Sequence, residues 1–279
     1  MTVPMSRVKS HIVAFFAALC FAPNVPTHAQ EKLSAEELAK LAQNPVANLI
    51  SVPFQNNTNF NVGPQDGTQN ILNIQPVIPV TLNKDWNLIT RTIVPLIWQP
   101  GFTPGQGTEF GLGDIQLSGF LSPSEPGPGG LIWGAGAIVQ MPTDTDARLG
   151  NKNWGLGPTG VVLKLEKGSP WVYGALVNNV WSLSGDKRGG SYNSFLLQPF
   201  LNYNFPGGTY LNSAPIITAN WEAPSSQRWT VPIGGGVGHI FHFGRLPVNM
   251  QLGAYWNVIA PDNGPDWQLR FQIQFMFPK

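Results

Sequence analysis

The chain has 279 residues, with 16 Lys and Arg against 15 Asp and Glu, a net charge of +1, and only 11% charged residues, where soluble domains average about 25%. That balance offers no basic field to nucleic acid. After Ala29 no apolar run approaches the roughly 20 residues of a spanning helix, so a membrane-integral form of this chain must be a β-barrel.

Arg7 and Lys9 precede an apolar run over 12–22, followed by Thr27-His28-Ala29. The pattern predicts a secretory signal peptide over 1–29, cleaved near Ala29. Cys20, the one cysteine, lies inside it; bulky Leu19 argues against a lipoprotein signal there. The mature chain then lacks a thiol for a disulfide or a metal. Residues 30–46 read as a short N-terminal helix. Ser34 with Glu37 matches a capping box, Leu33, Leu38 and Leu41 share one side, and Pro45 ends it.

From Ala47 the hydrophobic period changes to two, and an all-β domain of about twelve strands is expected over 47–279. The predicted strands cover 48–60, 70–82, 86–98, 110–121, 131–141, 155–165, 171–183, 193–205, 210–221, 229–243, 248–258 and 267–277. Successive strand residues point to opposite faces. In strand 248–258, for example, Val248, Met250, Leu252, Trp256 and Val258 oppose Asn249, Gln251 and Asn257. In strand 155–165, Val161, Leu163 and Leu165 form the apolar set against Lys164. Taken through the chain, the polar parity nominates a lumen lining of Arg91, Asp114, Gln116, Lys164, Asn178, Gln198, Asn202, Asn220, Gln251, Asn257, Arg270, Gln272 and Gln274. Large aromatics near strand ends (Trp86, Trp98, Trp171, Trp181, Trp221, Trp229, Trp267, Phe277) suit the girdles at the two membrane interfaces. Prolines inside strands, such as Pro76, Pro79, Pro95 and Pro199, predict bulges, because proline lacks a ladder donor.

Connections alternate in length. Those near 83–85, 166–170, 206–208 and 244–247 are short; those near 99–109, 142–153, 184–191 and 260–266 are longer, and only 122–130 departs from the rule. Short turns on the side of both termini and longer loops opposite are the outer-membrane barrel pattern. The loop holding Asp186, Lys187 and Arg188 is therefore expected outside the cell. A secreted sandwich also alternates, but its strands average 5–6 residues, and its open face carries Lys and Glu rather than Asn, Gln, Ser and Gly.

The closing strand carries the clearest alternation: Trp267, Leu269, Phe271, Ile273, Phe275 and Phe277 against Gln268, Arg270, Gln272 and Gln274. A strand of this length at the C-terminus, ending in aromatics, resembles the signal read by the outer-membrane barrel-assembly machinery. Three segments extend the resemblance: Gln43-Asn44-Pro45-Val46-Ala47 leading to Ile50-Ser51-Val52-Pro53-Phe54-Gln55-Asn56-Asn57, then Phe110-Gly111-Leu112-Gly113-Asp114-Ile115, and Phe271-Gln272-Ile273-Gln274-Phe275-Met276-Phe277-Pro278-Lys279. Together they resemble Gram-negative outer-membrane transporters related to the MetA-pathway-of-phenol-degradation family. That resemblance implies an outer-membrane barrel passing small, often aromatic molecules, and it brings no catalytic residues.

No enzyme chemistry or cofactor is expected. His239 and His242 are three apart, which on a strand points their rings to opposite faces, so no metal site is assigned. The predicted serines lie mostly in turns, away from either histidine, against a lipid hydrolase. Twelve strands fall between a filled eight-stranded barrel and the open 16-stranded porins. The expected function is passive passage of small, neutral or weakly polar solutes through a narrow lumen, with lipid around it. The alternative is a plugged barrel with a structural or surface-binding role. The helix of 31–43 is expected either to restrict the lumen or to stand free on the periplasmic side.

Overall fold

Alternating strands with polar and apolar faces close on themselves in this protein. The computed structural model describes residues 33–183 and 190–278; the signal-peptide prediction and the Asp186-Lys187-Arg188 loop lie outside them. Helix α1 (Ala35–Ala42) is followed by fifteen hydrogen-bonded segments: β1 (Ile50–Val62), β2 (Gly67–Ile74), β3 (Val77–Thr81), β4 (Trp86–Gln99), β5 (Glu109–Leu112), β6 (Ile115–Pro123), β7 (Leu131–Met141), β8 (Gly155–Leu165), β9 (Trp171–Ser182), β10 (Asn193–Asn204), β11 (Thr209–Ser213), β12 (Ile217–Asn220), β13 (Trp229–Phe243), β14 (Leu246–Ile259) and β15 (Trp267–Phe277). Three pairs, β2/β3, β5/β6 and β11/β12, are single staves broken once, which leaves the expected twelve. Every neighbour is antiparallel, and β15 pairs β1 from Ile50↔Phe277 to Phe60↔Trp267, closing the barrel. Closure removes the two edge strands that an open sheet would have.

The breaks have local causes. Gln75-Pro76 interrupts β2/β3 where a donor is missing; Pro215 does the same between β11 and β12. Pro79 and Pro199, in contrast, sit inside regular pairs (Pro79↔Ile89, Pro199↔Ala175), so the bulges predicted there do not form, whereas beside Pro95 the register of β4 against the β5/β6 stave shifts by one residue between Leu96↔Leu112 and Ile93↔Gln116, as predicted. For Pro79 the reason is topological: β3 meets β1 only at Val77, and the proline nitrogen is not asked for a bond on that side. The register also shifts at Asn59/Val62 and at Val231/Pro232.

Exposure follows the period of two. Leu252, Trp256 and Val258 on β14 are about half exposed, while Asn249 and Tyr255 are buried inside. Aromatic pairs ring the exterior near both strand ends. Phe60 stacks on Trp267 at 4.0 Å, and Trp98 lies 4.5 Å from Phe110, near the loops. Trp86 meets Trp133 at 5.8 Å, and Trp171 meets Tyr203 at 4.8 Å, near the short turns. Trp221 and Trp229 pack at 5.3 Å; Trp181 and Phe277 are exposed on the outer surface.

Strand β8 corrects the expected phase. Val161 and Leu163 are buried inside, and Leu156 and Val162 are exposed outside. Lys164 accordingly leaves the lumen: it pairs with exposed Leu131 and Tyr173 on the outer rim and reaches Glu166 at 3.5 Å. Both faces of the Val-Val-Leu segment are apolar, because the inner wall here is a packed core. Ile89, Phe120, Val161, Leu163, Val172, Leu176 and Phe200 converge inside with Val46, the residue after the helix turn.

Candidate functional site: a lumen partitioned by a helix and a loop

Helix α1 starts where its sequence dictates. Ser34 accepts from the Glu37 amide (3.2 Å), and the Glu37 carboxylate accepts from the Ser34 amide (2.8 Å), forming the capping box. These bonds hold the Glu37 carboxyl below the usual glutamate range. The apolar stripe then docks inside the barrel. Leu38 and Ala39 are buried against Tyr210, Ile240 and Met276, with Ala47 and Leu49 from the connection into β1. Tyr210, Ile240 and Met276 lie on the same parity as Asn212, Gly238 and Gln274, the inward face. Lys40 is buried over its stem and pairs with Glu36 at 2.7 Å. At the helix end the amides of Gln43 and Asn204 bond reciprocally, at 2.8 and 3.1 Å, and Asn204 also donates to Pro170 O. The helix is thus latched into the mouth on the side of the short turns.

Beyond it, three cavities follow one another through the barrel. The first, about 150 Å³, is roofed by residues 41–45 and lined by Gln198, Asn202, Gln251, Gln272, Gln274 and Arg91, among others. The second, about 240 Å³, shares Gln55, Gln75, Arg91 and Gln198 with the first. It adds the polar Asp114, Gln116 and Asn178 together with the apolar Phe120, Leu176 and Leu196. The third, about 400 Å³, shares Asp114, Gln116 and Asn178 with the second and adds Asn220.

The 142–154 loop folds over this last cavity. Leu149 is buried, and Leu149, Gly150 and Asn151 form part of the lining. The break between β5 and β6 receives the loop: Thr145 N donates to Leu112 O at 3.0 Å, and the Thr143 hydroxyl donates to Gly113 O at 2.9 Å. Asp114 anchors it, accepting from Asn151 N (2.7 Å) and from the Gln140 amide (3.0 Å). Arg148 ties the loop back to Glu109 on β5 and pairs with Asp146 within the loop, and its bonds draw the Asp146 carboxyl below its usual range. Tyr192, from the next loop, donates its hydroxyl to Asn153 O at 3.1 Å. Burial and the Asp114 charge push that phenol up to about 12.

Of the remaining residues nominated from parity, Asn257 faces inward near the loops and donates to Pro265 O at 2.6 Å. Arg270 is buried in the wall rather than along the cavities: it bonds Asn57, Ala214 O and Gln268 at 2.8–3.1 Å and stacks on Tyr255 at 4.5 Å. The histidines diverge. His239 meets the Thr209 hydroxyl at 2.7 Å and the Phe241 ring at 4.7 Å on the outer wall, and His242 has the opposite parity. The nominations left out Gln43, Tyr210 and Leu149, and also Asn204, which parity places on the polar face with Asn202. Tyr210 shares the inward parity of Asn212 and carried a signal; Gln43 and Leu149 act from outside the strands, where alternation says nothing.

No family model and no curated protein matches the sequence. In fold the chain is similar to a crystallised outer-membrane channel from Pseudomonas putida F1, at 19% identity and a TM-score of 0.62, covering 91% of this chain and 99% of that one. The NanC porin aligns at 8% identity and 0.49, covering 82% and 100%. Outer-membrane phospholipase A from Escherichia coli aligns at 10% and 0.45, covering 89% and 99%. The first likeness establishes the fold, a closed antiparallel β-barrel of the kind found in the outer membrane.

Proposed function

We propose that the protein sits in the outer membrane and passes small solutes through its lumen, with α1 narrowing one mouth and the 142–154 loop the other. The observation that carries this reading is the run of three cavities sharing walls from the helix to the loop. Amides line much of that path, and amides exchange hydrogen bonds with a passing solute without holding it by charge. The unbroken staves, 11 to 15 residues long, match the 9–11 residues that cross the hydrocarbon, with the surplus in the interfaces. Exposed aliphatic side chains between the two aromatic rings supply the lipid contact. The similar Pseudomonas channel and the resemblance to the phenol-degradation-related transporters support transport over a purely structural barrel. On this reading the short turns and termini are periplasmic, and the aromatic-ended β15 is the segment offered to the assembly machinery.

Planar-bilayer recordings test it. The intact protein should give small, discrete current steps, and a variant lacking residues 34–43 should give larger ones. A folded barrel with no current in either form refutes the channel. Equal currents in both forms refute the helix as a restriction.

A further inference from the structure

The four ionic groups expected along the lumen do not balance. Lys164 is outside, and Arg270 is enclosed by Asn57, Ala214, Gln268 and Tyr255. Asp114 has one oxygen occupied by Gln140 and Asn151, and the other is buried beside Gly150 of the loop that it anchors. Arg91 is left. It borders the first and second cavities together with Gln55, Gln75 and Gln198, so it stands at the passage between them. Its one hydrogen bond to another side chain goes to the Gln75 carbonyl, and among the described residues no carboxylate lies within ion-pair distance. A guanidinium has five donors in a planar fork that matches a carboxylate. The second cavity also has an apolar wall, made by Ile93, Phe120, Ile138, Leu176 and Leu196.

We propose that Arg91 and this wall form a binding subsite for small monocarboxylates bearing a compact apolar body, the acid group held by Arg91 and the body against Phe120 and Leu176. The proposal rests on the channel reading and names its solute class. A cavity of about 240 Å³ lies below the range of drug-sized sites, which restricts the body to a few carbons. The amides of Gln55, Gln75 and Gln198 supply further donors to the second carboxylate oxygen, and Gln75 keeps the guanidinium aimed across the passage.

Calorimetric titration of the full barrel in detergent micelles tests this without requiring current. The probes are hexanoate, its neutral isostere hexanamide, and acetate, which lacks the apolar body. A charge-assisted bond contributes enough to predict that hexanoate binds about tenfold or more tightly than hexanamide; it should also outbind acetate. Arg91→Gln should abolish the preference for hexanoate over hexanamide, and Arg91→Lys should retain part of it. A heat-modifiable band checks that each variant is folded, and if Arg91→Gln does not fold, the three-probe series on the intact protein and Arg91→Lys decides. Equal binding of hexanoate and hexanamide, or a preference unchanged in folded Arg91→Gln, overturns the subsite. A barrel silent in bilayers would refute the channel and leave this binding result standing or falling by itself.

Discussion

Two adjacent positions on β6 give opposite answers to the same substitution if the barrel stands in lipid. Leu117 is 42% exposed on the outer wall, opposite Thr92 and Val139, near the middle of the β5/β6 stave. Arginine at a mid-membrane lipid position costs roughly 2–4 kcal/mol. Gln116 faces the second and third cavities and donates to Gln140 at 3.0 Å. Replacing it with arginine removes one neutral hydrogen bond, about 1 kcal/mol, and sets the new cation two residues from Asp114 on the same face. The two variants should therefore differ by about 1–3 kcal/mol, or roughly 5- to 150-fold in the folded-to-unfolded ratio. Refolding from urea into lipid vesicles, read by the heat-modifiable shift, measures this directly. Leu117→Arg should fold in much lower yield than Gln116→Arg. Equal yields, or the reverse order, would refute the assignment of lipid and lumen faces.

Strand β8 offers a local test of packing. A Cβ at Gly157 would lie 1.6 Å from Asn179 O, whereas at Gly160 its nearest neighbours are 3.8 and 4.0 Å away. Gly157→Ala should lower folded yield sharply, since relief of an overpacked contact costs about 1–3 kcal/mol, and Gly160→Ala should not; matched yields would contradict the β8–β9 register. The latch is tested by Asn204→Ala, which leaves the Gln43 amide without its partner inside the mouth. Unmet polar groups of this kind cost about 1–3 kcal/mol, so trypsin should cut after buried Lys40 roughly 5- to 150-fold faster than in the intact protein. An unchanged cleavage rate would show that the latch does not hold the helix.

Some of this architecture needs only neighbouring residues. Along β14 and β15 most outward positions are large and apolar and most of their neighbours are amides, so one parity satisfies both lipid and lumen, and the face assignment follows from the strand itself. The same holds for the capping box, whose partners are three residues apart, and for the strand count, because turns interrupt the period wherever the chain must reverse. Strand β8 shows the limit. With Val161, Val162 and Leu163 in a row, both faces are apolar, and a period of two has no phase to report. Its orientation comes from pairing Leu163 with Gly174 and Ile132, which buries it against Val172 and Phe120. The docking of α1 against Tyr210 and Met276, the inward fold of the 142–154 loop onto Asp114, and the isolation of Arg91 have the same origin. Each joins groups that no local periodicity relates, brought together by strand pairing and, for the helix, by β15 closing on β1, so their distances and their charge balance are properties of the folded barrel.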